Sequence, residues 1–231
     1  MQTIGILGGM APESTVEYYR QIIQASHEQG WEKRYPRTII YSQNFEEFYD
    51  PLSAGDDEQV LEVLSAGLES LAAAGADFAL LASNTPHKYY KDLLEDSPLP
   101  ILSIVDATAE AAVERGFERV GVLGTLHTTN GDFYPEGFAA HDLEVCTPDQ
   151  EDKEWTHEKI FGELTSGVHT AETKAGLVEI VEKMVEEQGI DAVALACTEL
   201  PLILDESDLP VPILNTTSLH ARYAFDEAIQ S

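Results

Sequence analysis

Gly75-Ala76-Asp77-Phe78-Ala79-Leu80-Leu81-Ala82-Ser83-Asn84-Thr85 and Gly189-Ile190-Asp191-Ala192-Val193-Ala194-Leu195-Ala196-Cys197-Thr198-Glu199 follow one plan, 114 residues apart. Each is a glycine that closes a helix, an aspartate, a short apolar run and then a polar turn. An apolar run of this length bounded by turn residues reads as a strand buried on both faces, as in parallel sheets. Two further pairs keep the order and nearly the same offset. Ile4-Gly5-Ile6-Leu7-Gly8-Gly9 returns as Val120-Gly121-Val122-Leu123-Gly124-Thr125, and Leu99-Pro100-Ile101-Leu102 as Val211-Pro212-Ile213-Leu214. Three ordered blocks at nearly one offset predict two similar lobes.

Outward from these blocks, strands are expected at residues 3–7, 38–41, 78–82, 101–104, 119–123, 192–196 and 211–214. Helices are expected at 13–28, 57–74, 106–115, 151–166, 170–188 and 216–229. Gly30, Gly75, Gly116, Gly167 and Gly189 stand where helices would end. Strand and helix taking turns predicts an α/β fold of two pseudo-symmetric, doubly wound parallel-sheet lobes. The first lobe is expected over 1–104 and 207–231 and the second over 105–206, with the last helix returning to the first lobe. Ligands of such sheets bind outside the carboxyl ends of the strands, so the site is expected in the cleft between the lobes, with Ser83 opposite Cys197.

Charge narrows the choice of partner. Thirteen Lys and Arg against 42 Asp and Glu give a formal net charge of −29, which repels nucleic-acid phosphates and anionic bilayers. No nucleic acid and no membrane is the expectation. The opening residues show no basic stretch before an apolar run, and no apolar stretch approaches the ~20 residues of a membrane span. The expected setting is therefore cytoplasmic. With only seven lysines, the acidity also suits a salt-rich cell interior where carboxylate repulsion is screened, an expectation that unfolding measured against KCl tests. Cys146 and Cys197 are too few for a disulfide framework or a metal knuckle. His127, His141, His157 and His169 lack metal-ligand spacing, and none of the seven lysines ends a strand in either repeated block, as a pyridoxal Schiff base would need. Neither metal nor cofactor is expected.

Two groups at matching strand ends suit inversion of a carbon centre, in which a base removes a proton on one face and an acid returns one on the other. A thiol near a helix N-terminus would have a lowered pKa and serve in both roles. A serine hydroxyl removes a carbon-acid proton poorly without a neighbouring base, so catalysis should lean on Cys197. The bland alternative, a helix-capping serine and an ordinary buried thiol, is weakened by their matching places in the repeat.

The chain resembles the aspartate/glutamate racemases, the cofactor-independent amino-acid racemases. Ile4-Gly5-Ile6-Leu7-Gly8-Gly9-Met10 with Pro12-Glu13-Ser14-Thr15 is similar to the family's opening signature. Ala82-Ser83-Asn84-Thr85-Pro86-His87 resembles its first catalytic motif and Ala196-Cys197-Thr198-Glu199-Leu200 its second. The resemblance implies an isomerase acting on a small amino acid, aspartate or glutamate, by two-base proton transfer at the α-carbon, without cofactor and as a homodimer. It makes Cys197 one proton carrier and puts Ser83 where most members have the other cysteine.

The clamp also departs from the family. Related aspartate racemases hold carboxylates with an Arg in the loop after the second strand and a Lys on a helix of the second lobe. Here no Lys or Arg occurs from Thr38 to His87, and Thr165 stands at the lysine's place. That leaves the substrate α-carboxylate to backbone N–H groups and to Asn84, Thr85 and Thr198. The Gly8-Gly9 spacing fits neither phosphate-binding fingerprint; a tight turn that lets Met10 line the cleft is expected instead. His87 either orients the serine hydroxyl or a carboxylate, or is an exposed residue of a first helical turn. Glu199 either polarises Cys197 or the substrate ammonium, or simply favours a helix N-terminus. Cys146 reads as a structural strand residue outside the repeat. Two rival functions use the same scaffold: a single-cysteine decarboxylase or isomerase, and a non-catalytic amino-acid-binding protein.

Overall fold

The computed structural model describes residues 1–230. The elements alternate along the chain: β1 (Ile4–Gly8), α1 (Pro12–Glu28), β2 (Thr38–Ser42), α2 (Phe45–Ala54), α3 (Asp57–Ala74), β3 (Phe78–Leu81), α4 (Tyr90–Asp96), β4 (Ile101–Leu102), α5 (Ile104–Arg115), β5 (Arg119–Gly124), α6 (Leu126–Thr129), α7 (Phe133–Ala139), β6 (Glu144–Cys146), α8 (Gln150–Gly162), α9 (Ala171–Gln188), β7 (Ala192–Ala196), β8 (Ile213–Asn215) and α10 (Thr216–Ile229). They form two four-stranded sheets, ordered β2-β1-β3-β4 and β6-β5-β7-β8, in which every pairing is parallel. The three repeated blocks hold the same three positions in each sheet. β6 is the counterpart of β2, so Cys146 lies inside the repeat rather than outside it.

The chain divides into two compact units, Met1–Ile104 with the C-terminal segment from Thr217, and Val105–Thr216. The second unit therefore runs past the boundary at 206 drawn from the sequence, because β8 hydrogen-bonds to β7 and completes the second sheet.

In the first unit, alternate residues of each strand go to opposite faces. Ile4, Ile6, Phe78 and Leu80 join Tyr18 and Ile22 of α1 and Ala221, Ala224 and Phe225 of α10. Leu7, Ala79 and Leu81 join Leu64, Leu68 and Leu71 of α3 and Phe48 of α2. The second unit repeats the latter layer, with Leu123, Val193 and Leu195 packed against Ile160 of α8 and Leu177, Val181 and Met184 of α9.

The shared Gly-x-Asp opening has one physical role in both units. Asp77 Oδ2 accepts the Thr3 N–H at 2.6 Å while the Asp77 N–H donates to the Thr3 carbonyl. Asp191 accepts from the N–H groups of Glu118 and Arg119 and returns a bond to the Arg119 carbonyl. Each aspartate thus locks the start of its strand to the start of the neighbouring strand. Gly5 and Gly121 leave room for the same layer: a Cβ on Gly5 would lie 3.0 Å from Ala76, and one on Gly121 2.7 Å from Ile190. Helix ends follow local chemistry as well. Asp56, Asp149 and Thr170 accept N–H groups at the starts of α3, α8 and α9. Gly75 and Gly189 close α3 and α9 in the left-handed conformation.

Several expected bounds move. The strand read at 101–104 is only Ile101–Leu102, because Ile104 already opens α5. The helix read at 151–166 stops at Gly162 and gives way to a 3₁₀ turn, Leu164–Ser166. α2, α4, α6 and α7 are additions to the expected set. No helix among the described residues is long and apolar enough to cross a membrane.

Candidate active site

In the first unit the rim at the carboxyl ends of the strands begins with the Gly8-Gly9 turn. A Cβ on Gly8 would lie 2.3 Å from Thr15 Oγ1, the atom that accepts the Gly9 N–H at 2.9 Å. Gly9 has φ +88°, and a Cβ there would lie 2.2 Å from the Gln43 carbonyl oxygen. The glycines therefore let three segments close on one another. Met10, which follows, is buried in the core with Phe48 and Leu52.

β3 delivers Ser83 to the same rim. Ser83 is half-buried, and its hydroxyl has no hydrogen bond among the described residues. Asn84 is buried, and Thr85 opens a 3₁₀ turn, Thr85–Tyr89. His87 is neither the hydroxyl's base nor an exposed helix residue. It is 2% exposed; Nδ1 donates to the Ser83 carbonyl at 2.9 Å, and Nε2 accepts the Ile104 N–H at 3.1 Å. With both nitrogens committed and the ring desolvated, its pKa falls to about 4. His87 thus ties the Ser83 turn to the first residue of α5. Beside it, His220 donates from Nε2 to the Leu102 carbonyl and accepts from the Tyr18 hydroxyl, with the two imidazoles edge-on.

In the second unit β7 ends at Ala196, and Cys197, Thr198 and Glu199 follow, each half-buried. The Cys197 thiol and the Thr198 hydroxyl both donate to Glu199 Oε2, at 2.9 Å each. Only a three-residue 3₁₀ turn, Leu200–Leu202, comes next. The helix N-terminus expected to acidify the thiol is absent, and the effect reverses: burial first, then the Glu199 carboxylate, push Cys197 well above the usual thiol range. Hydrogen bonds from the Thr198 and Glu199 N–H groups pull the other way and lose. The resting thiol is protonated and already aimed at a proton acceptor.

Thr165, read from the sequence as standing at the family's lysine position, is exposed and bonds the end of α8 at the Phe161 carbonyl. Cys146 is buried in the core of the second unit, its pKa raised by burial. Gln43 is the residue that sequence reasoning misses. It follows β2 directly and is buried with neither side-chain oxygen nor nitrogen bonded. The signal available was its place on the rim, one residue past a strand end.

Comparison with known proteins shows the family. The family model for Asp/Glu/hydantoin racemases matches residues 7–224. A broad-specificity amino-acid racemase of Bacillus subtilis (strain 168) is 27% identical, over 95% of both chains. The structure of an aspartate racemase homologue from Pyrococcus horikoshii is 38% identical over 99% of both chains, with a TM-score of 0.87. That of a candidate Asp/Glu racemase from Yersinia pestis is 35% identical over the full length of both, with a TM-score of 0.92. The chain belongs to the Asp/Glu/hydantoin racemase family and is an amino-acid racemase, an isomerase.

Proposed function

We propose that the chain racemises a small amino acid without a cofactor, Cys197 serving one face of the α-carbon and Ser83 the other. The supporting observation is that β3 and β7 hold the same place in their sheets and run directly into Ser83 and Cys197. On binding, the substrate ammonium stabilises negative charge on the sulfur as it forms. Glu199 then takes the thiol proton, and the thiolate removes the α-proton. The C–H bonding pair passes into the α-carboxylate as an enolate, held by backbone N–H groups with Asn84, Thr85 and Thr198. The Ser83 hydroxyl returns a proton on the opposite face and recovers its own from water, and the proton held on Glu199 passes to the hydroxide so formed, which restores the thiol and the carboxylate.

This assignment is asymmetric. Among the described residues the Ser83 hydroxyl is bonded to no base, and His87 spends both nitrogens on the backbone. The enantiomer whose α-hydrogen meets Cys197 is therefore processed faster, within the fixed overall equilibrium. In D₂O, initial deuterium uptake differs between enantiomers, Cys197→Ala abolishes it, and Ser83→Cys narrows the gap. Equal uptake from both enantiomers of the unaltered chain rejects the asymmetric roles. The lone working thiol also fits a decarboxylase, which the same experiment identifies by carbon dioxide released in place of simple α-exchange.

A further inference from the structure

Gln43 is 7% exposed, and its Oε1 and Nε2 both lack a hydrogen-bond partner. Each unmet buried group costs about 1–3 kcal/mol, so one at the end of a strand calls for a partner that completes it. Register places the Gln43 backbone on the same rim as Ser83. β1 pairs with β2 with Gly8 opposite Ser42, and with β3 with Leu7 opposite Leu81. One step past the strand ends, Gln43 and Ser83 flank Gly9, and the Gln43 N–H donates back to the Gly8 carbonyl at 3.1 Å. Two strand spacings separate them, about 10 Å, the span of an amino acid with an extended side chain.

The surroundings select against an anion. Thr38 to His87 holds no Lys or Arg, and α2, which starts two residues after Gln43, has Glu46 and Glu47 in its first turn. A substrate carboxylate would accept from Nε2 but leave Oε1 facing another oxygen. A primary amide both donates and accepts, and satisfies both atoms at once.

We infer that Gln43 receives the substrate side chain and that this side chain is a neutral primary amide, making glutamine or asparagine the preferred substrate rather than aspartate or glutamate. The inference rests on the racemase reading above.

The test follows α-deuterium exchange of glutamine, asparagine, aspartate, glutamate and methionine by the unaltered chain and by Gln43→Leu. The amides should exceed the acids in kcat/KM. In Gln43→Leu the ratio of amide to methionine kcat/KM should fall about tenfold, carried by KM, as loss of about 1.4 kcal/mol of side-chain binding requires. The same variant should unfold at higher urea, since it removes two unmet polar groups from a buried position, an effect a structural role for the amide would not produce. Gln43→Asn should move the preference between glutamine and asparagine. Acids exchanged as fast as amides, or an unchanged amide-to-methionine ratio, overturns the role of Gln43 and leaves the racemase reading standing. No exchange with any amino acid removes both.

Discussion

At the scale of single residues, the proposed chemistry turns on how Glu199 treats its neighbour. Backbone N–H donors make a thiol more acidic, and Cys197 does receive two such bonds. Burial and a carboxylate at 2.9 Å outweigh them, so the sulfur rests as a thiol with its acceptor in place. Removing the charge should lower the thiol pKa while removing the acceptor. In a Cys146→Ala background, the pH dependence of alkylation by iodoacetamide should therefore shift to lower pH in Glu199→Gln, although turnover falls. A shift upward, or none, would mean that neither the charge nor the hydrogen bond of Glu199 holds the proton on the sulfur. The residue types of this cluster are readable in the sequence. The sign of the pKa shift is not, because it depends on desolvation and on a 3₁₀ turn where a longer helix is expected.

At the scale of elements, the glycines separate two physical demands. Gly30 and Gly9 both have positive φ, 74° and 88°, a region that costs a residue with a Cβ about 1–3 kcal/mol. A Cβ added at Gly30 would meet nothing within 4 Å, whereas at Gly9 backbone atoms of Gln43 would lie as close as 2.2 Å. Gly30→Ala should cost the conformational term alone; Gly9→Ala should cost distinctly more and also lower activity, since it pushes Gln43 off the rim. Urea unfolding of the two variants decides this, and equal losses would show that the Gly9 contact relaxes freely. Most elements are legible because their hydrophobic periods and caps are local. α2 is not, since Pro51 in its interior reads as a break. The true start of α5 is hidden too, because its Ile104 N–H is capped by the distant His87 ring.

At the scale of the whole molecule, two buried neutral imidazoles link stability to pH. Native His87 takes a proton only below about 4, while the unfolded chain protonates near the ordinary histidine value of about 6.5. Between these values the unfolded state binds more protons, so this contribution is complete above the window and is lost as pH falls through it. For His87 it amounts to about 3 kcal/mol, and His220, also shifted well down by burial and by His87, acts in the same direction. Carboxylate protonation relieves the −29 charge at low pH and opposes the trend. The useful readout is thus the stability difference between the unaltered chain and His87→Gln, which should shrink from pH 7.5 to pH 4.5. A constant difference would mean that native His87 titrates normally.

The order of residues suffices to specify the doubled α/β plan, the strand ends that carry Ser83 and Cys197, and the lack of a cationic clamp after β2. These are properties of hydrophobic period, turn chemistry and composition, which neighbouring residues set among themselves. Only the folded chain reveals that β6 matches β2, that β8 and the residues leading to it belong to the second unit, that His87 serves the backbone rather than the serine hydroxyl, and that Gln43 stands buried with its amide unmet. Each of these depends on which distant segment arrives as a partner, or fails to, and desolvation and hydrogen-bond satisfaction exist only once those segments have met.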